Sequence, residues 1–299
     1  MQFLAALSLF LSPAVAPAGL LESDTPLDRA LASAQARLES TATLVGDHST
    51  WENAWELETE HYRVRTTANW YIGKRMGKNL EVMFGFFQEI TGSDWEPSQP
   101  LSIFLFEDLA DYNQFGTDNG EYHSSILGSY YASGHADQPV ATYVHHSPKQ
   151  LAMWVTHSAF HQFAGGAFSQ PAPTWFEEGL ASYFANAYWD QDYLASEFKR
   201  ISRGSSYVPL GTLLREPIDQ YVADPHSRFI ELGMLFNYLL HKRPDTMTQK
   251  NADGIVLLAP AADYVSGTMR GLDVSDNPVH ELLTVDLEQL EAELRDFQF

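Results

Sequence analysis

Two neighbouring segments constrain the fold more than any other part of the chain. In the first, two histidines stand four residues apart, His157 and His161 in VTHSAFHQ. On a helix that spacing puts both imidazoles on one face, one turn apart. Pro148 suits the first turn of such a helix, and Gly165-Gly166 predicts its end. The second segment is PAPTWFEEGLASYF, where Thr174 and Glu177 form a T-x-x-E capping box for a helix over Trp175 to Tyr188. The box predicts that Glu177 turns back to the helix start and that Glu178 faces elsewhere. Gly179 inside a helix costs about 1 kcal/mol relative to Ala, so it predicts a close helix–helix approach. Glu178 follows His161 by seventeen positions, room for one loop and a turn. The second helix can then return past the first and offer Glu178 as a third ligand. Two imidazoles and a carboxylate, with a fourth position open, form a His₂Glu zinc site. Taken alone, the histidine pair is equally two ordinary helix residues and Glu178 a solvated carboxylate. The second helix at a suitable distance favours the metal site.

Composition narrows the chemistry from the other side. The 299 residues include no cysteine, which excludes disulfides, a thiol nucleophile, a zinc ribbon and an iron–sulfur cluster. Any transition metal must be held by His and carboxylates. The 18 Lys+Arg stand against 39 Asp+Glu, a net charge of −21. That charge repels phosphate backbones and anionic lipid, so neither nucleic acid nor acidic membrane is an expected partner. Hydrophobic residues at 44% argue against wholesale disorder.

No charged residue precedes Glu22, and Phe3 to Leu11 is a nine-residue apolar run, too short to span a bilayer. Small residues with A-x-A spacing follow. Residues 1–18 therefore read as a signal peptide, although without Lys or Arg at the start, and predict a secreted or periplasmic protein. A helical segment is expected at 19–54, with Asp24 to Leu44 as its helix. The main expected domain spans 55–245, with 246–299 as its helical C-terminal extension. Within it, the pattern predicts one strand over Trp55 to Arg65 and a long helix from Ala68 to Ile90 capped by Thr67. Further strands are expected at Leu101 to Phe106, Leu127 to Ala132 and Val140 to His145. Later helices are expected over Asp192 to Ile201, Ser227 to His241 and Asp286 to Phe297. A few strands followed by many helices is an α+β pattern.

The segment from His157 to Phe184 resembles the gluzincin metallopeptidases. There, H-E-x-x-H on one helix is joined by the Glu of an E-G-x-A element on the next. It is most similar to the bacterial peptidase-MA-like group, through Pro173, Trp175, Glu178, Gly179, Ala181 and Phe184. The resemblance extends softly over roughly residues 55–299. It implies a thermolysin-like α+β fold: a small mixed sheet, a His-motif helix and a helical C-terminal half. It also implies that His157, His161 and Glu178 ligate zinc, and that the strand Val140–His145 forms an edge by a cleft that takes a peptide or protein.

Three departures qualify the activity. Ser158 stands where the family has its general-base Glu, so the motif is H-S-x-x-H. A Ser hydroxyl does not shuttle protons near neutrality, and general acid–base catalysis is typically worth about 10²–10⁴-fold. Phe229 falls where a Tyr would stabilise the oxyanion, leaving Tyr221 or His226 as possible substitutes. Ser182 replaces an Asp that orients a ligand His in some relatives. The expectation is thus an exported, zinc-binding but catalytically impaired pseudopeptidase. The alternatives are an active zinc peptidase using another base such as Glu177, and a metal-free structural or protein-binding domain.

Overall fold

The computed structural model describes residues 48–118, 129–130, 136, 138–144, 147–169, 172–187, 190–242, 248–250, 256–258 and 286–297. The expected leader at 1–18 and the helix expected over Asp24 to Leu44 lie outside the described residues. A five-stranded mixed sheet is followed by a largely helical C-terminal half, an α+β architecture.

The sheet is built from β1 (Trp55–Glu58), β2 (Tyr62–Thr66), β3 (Leu101–Phe106), β4 (Ser129–Tyr130) and β5 (Val140–Tyr143). Its spatial order is β1-β2-β3-β5-β4. The β1/β2 and β4/β5 pairs are antiparallel; β2/β3 and β3/β5 are parallel. The expected single strand over 55–65 is therefore a hairpin. Thr59 makes the turn, exchanging hydrogen bonds with the backbone of Tyr62. The segment Val140–Tyr143 is not the sheet edge, because β4 covers it.

Between β2 and β3 the chain forms α1 (Trp70–Thr91), capped by Asn69, whose side chain accepts from the Tyr71 N–H. The Thr67 hydroxyl, the expected cap, accepts instead from the Glu107 N–H. After β3 comes α2 (Leu109–Asp118), and after β5 comes α3 (Pro148–Ala167). Side chains alternate along β3. Leu101, Ile103 and Leu105 join the main core with Leu80, Phe84 and Phe87 of α1 and Phe160 and Phe163 of α3. Phe104 and Phe106 point the other way, to a small cluster with Trp51, Tyr112 and Phe115. That period of two is what buries a sheet on both faces.

The helical half contains α4 (Thr174–Ser182), a π turn (Tyr183–Ala187), α5 (Gln191–Ile201), α6 (Leu210–Leu213), α7 (Ile218–Ala223) and α8 (Pro225–Lys242). The α4 helix is shorter than expected because the π turn replaces its last stretch. Residues 246–299, expected as helical, also contribute an antiparallel pair, β6 (Thr248–Lys250) and β7 (Val256–Leu258). They end in α9 (Leu287–Asp296), with Asp286 as its cap. Among the described residues no helix is long and apolar enough to cross a membrane.

Candidate metal centre

The α3 and α4 helices pack together, α4 packs in turn against α8, and the candidate ligands lie between α3 and α4. Ser147 caps α3, its hydroxyl accepting from the Gln150 N–H. The helix does not stop at Gly165-Gly166 but runs to Ala167. Gly166 is needed for space, since a Cβ there would lie 2.1 Å from the Trp95 ring. Gly179 on α4 has the same kind of role. A Cβ on it would fall 2.3 Å from the ring of Phe236 on α8, the close approach expected from sequence.

The packing brings His157, His161 and Glu178 together as a group that can hold a metal ion. The two Nε2 atoms are 3.3 Å apart. Glu178 Oε2 is 3.2 Å from His157 Nε2, and Oε1 is 3.6 Å from His161 Nε2. Ligand bonds of about 2.0–2.1 Å in a tetrahedral arrangement imply ligand–ligand separations of about 3.3 Å. The three donors thus already stand at coordination spacing. Glu178 Oε2 is buried and has no hydrogen-bond partner despite its proximity to His157. A buried orphan acceptor is costly, and a cation is one group that would satisfy it.

Glu177 corrects the expectation drawn from the capping box. The N-cap of α4 is Pro173, with no side-chain cap bond. The Phe176 and Glu177 N–H groups donate instead to the Pro173 carbonyl. The Glu177 side chain turns to the neighbouring helix, and its Oε1 lies 2.7 Å from His161 Nδ1. An Nδ1–H donated there means that, once a metal displaces the other ring proton, the Nε2 lone pair would face the cluster. No sequence pattern assigned this partner to His161, because T-x-x-E carried the competing capping meaning.

The charges are coupled. Burial alone would lower the pKa of His161, but the Glu178 and Glu177 carboxylates outweigh it and push it up to about 10. Burial would raise Glu178, yet His161 and His157 hold it well below the usual carboxylate range. His157 is lowered, chiefly by burial, which outweighs the pull of Glu178. The cluster therefore gathers two carboxylates around one imidazolium and one neutral imidazole. A divalent cation taking the place of the proton would balance that charge.

The other residues singled out from sequence are placed as follows. Ser158 is buried beside His157 on α3. Phe229 lies against His157, ring centroids 4.8 Å apart. Ser182 is fully buried, one turn beyond Glu178, and its hydroxyl has no partner. The buried Tyr221 hydroxyl donates to the Leu213 carbonyl at 3.0 Å. Burial, and then the charge of Glu178, push its pKa up. His226 is exposed, its Nε2 3.0 Å from Glu197 Oε2.

No family model matches the chain, and no curated protein matches it.

Proposed function

We propose that the chain is an exported, gluzincin-like zinc protein that binds a peptide or protein in its cleft without efficiently hydrolysing it. The observation that carries this reading is the convergence of His157 Nε2, His161 Nε2 and Glu178 at coordination spacing, next to Ser158 where a base is needed. The donor set suits zinc, with nitrogen and carboxylate oxygen and a position left for water or ligand. Zinc held there would lower the pKa of a bound water to about 7. The chain's own residues supply little of the rest. Ser158 has no carboxylate to move a proton. Phe229 presents an apolar ring at His157 where a hydroxyl would help an oxyanion. Tyr221 directs its proton to Leu213, and His226 is paired with Glu197.

The engagement of Glu177 with His161 Nδ1 argues against its serving as the replacement base. The orphaned, buried Glu178 Oε2 argues against a metal-free role. The leader-like amino terminus supports export, and the charge of −21 disfavours nucleic acid and acidic membrane as ligands.

Elemental analysis and the Ser158→Glu variant test this reading. Stoichiometric zinc in the wild type, lost in His157→Ala, is expected. Zinc-dependent proteolysis gained on Ser158→Glu is expected too. A wild type that binds no zinc overturns the metal reading. A wild type that already cleaves as fast as Ser158→Glu overturns the pseudopeptidase reading.

A further inference from the structure

A second histidine, remote in sequence from the metal cluster, has both ring nitrogens occupied by carboxylates. His61 lies in the turn between β1 and β2, only 2% exposed. Its Nδ1 is 2.6 Å from Glu81 Oε2 and its Nε2 is 2.8 Å from Glu96 Oε2. Its backbone N–H donates to Glu81 Oε1 at 2.8 Å, and its ring stacks on Phe84 with centroids 3.9 Å apart. An ionised carboxylate only accepts hydrogen bonds, and a neutral imidazole has one N–H. A neutral His61 would turn a lone pair on one of its two partners. Only the imidazolium satisfies both.

The charges facing the ring come from two elements, Glu81 of α1 and Glu96 of the segment 92–100. From β3 the contact is the Leu101 N–H, which donates to the His61 carbonyl. Burial opposes the imidazolium, but Glu81 and Glu96 outweigh it and the pKa is raised. Burial would raise Glu81, but its bonds to His61 and neighbours lower it.

The segment held this way reaches the back of the histidine helix. Gln88 Nε2 donates to Glu96 Oε1 and to the Trp95 carbonyl. The Trp95 ring fills the space over Gly166 and meets Phe163 edge-on at 5.7 Å, both residues of α3.

We propose that His61 is a proton-controlled latch: as imidazolium it ties the segment 92–100, and through Trp95 the rear of α3, to the β1–β2 turn, and loss of its proton releases that segment. This rests on the geometry around His61 and not on the metal reading. The direction follows from the two partners. The raised His61 contributes fully below its ordinary value of 6.5, and that contribution is lost as pH rises through its higher folded value. The lowered Glu81 contributes above its ordinary 4.5, and that is lost as pH falls through its lower folded value. The latch is closed between the lowered Glu81 value and the raised His61 value, and it opens as pH rises through the latter.

Two measurements on the full chain test it: the ring titration of His61 by NMR, and amide-exchange protection of residues 93–99 against pH, corrected for intrinsic rates. Wild type is expected to titrate above the ordinary imidazole value and to lose protection in that segment as it does so. Glu96→Gln removes the exposed partner and leaves the buried one. It is expected to lower the His61 pKa by about 1 unit and to shift the loss of protection down with it. A His61 that titrates at or below its ordinary value overturns the latch. So does protection in 93–99 that ignores the titration, or a Glu96→Gln variant that titrates like wild type.

Discussion

Glu177 and Glu178 are neighbours in sequence but address opposite nitrogens of one imidazole. Glu177 is at Nδ1 of His161, and Glu178 is on the Nε2 side. If zinc sits at the cluster, Glu177 positions a ligand without touching the metal. Loss of such a partner typically weakens metal binding by about 10–100-fold. Glu177→Ala should show that loss in a chelator-competition titration, and Glu177→Gln, which keeps an acceptor oxygen, should recover part of it. Unchanged affinity in both variants would remove Glu177 from the site. A different carboxyl, Glu231 of α8, is 1% exposed and accepts from the Val208 N–H, while its Oε2 has no hydrogen-bond partner. Burial pushes its pKa from 4.5 up to about 8, against the pull of the Val208 N–H and Arg228. A raised folded pKa stabilises fully below the unfolded value, and that stability is lost as pH rises through the folded one. Glu231 should therefore cost stability progressively from about pH 4.5 to 8, on the order of a few kcal/mol at most. Glu231→Gln keeps the acceptor and removes the ionisation. Its denaturation midpoint should gain on wild type as pH rises across that range, and an unchanged difference between pH 5 and 8 would contradict the assignment.

At the scale of elements, the site depends on how closely α4 can lie on α8. Gly179 faces Phe236, and Phe236 in turn packs against Trp175 and Phe176. Gly179→Ala adds a methyl where there is no space, and overpacking of this kind costs about 1–3 kcal/mol even though Ala is the better helix former. A lowered melting temperature checks this; a raised one would mean that the ring simply moves aside. This glycine was legible in the sequence because a mid-helix Gly between apolar neighbours weakens the helix, and a tight packing contact offsets that loss. The histidine spacing was legible because i,i+4 geometry follows from the helix itself. Other signals had two physical meanings, and tertiary contacts chose between them. Gly165-Gly166 reads as a helix stop, but Gly166 admits the Trp95 ring and the helix continues. Thr174 and Glu177 read as a cap, but a buried imidazole nearby is the stronger partner for the carboxylate. The alternation of WELETEHYRVR runs through a turn with no Gly, Pro or Asn to mark it. That turn is held by Thr59 and by the bonds of His61 to α1, contacts no local pattern encodes. The π turn after α4 likewise comes without a composition cue, its Asn186 side chain donating to the Ser182 carbonyl.

For the whole molecule, the candidate ligands join two helices that follow each other in the chain and pack between the sheet and α8. A cation held by His157, His161 and Glu178 would crosslink α3 to α4, a contact absent from the unfolded chain. Binding to the folded state alone adds stability of about 2.7 kcal/mol when free ligand is a hundredfold above its Kd. In a domain of this size each kcal/mol moves the melting temperature by about 2–4 °C, so zinc should raise it by several degrees. The same cation would displace the proton that Glu178 and Glu177 hold on His161, so the shift should grow with pH as that proton becomes easier to lose. Magnesium separates this centre from the general attraction of a chain carrying −21. Diffuse charge neutralisation would respond to any divalent ion, whereas two imidazole nitrogens discriminate strongly in favour of zinc. Thermal melts with zinc and with magnesium, on wild type and on His157→Ala, therefore have distinct expected outcomes. Zinc should stabilise the wild type well beyond magnesium, and His157→Ala should reduce zinc to the magnesium level. Equal shifts for the two ions in the wild type, or a zinc shift that survives in His157→Ala, would move the binding away from this cluster.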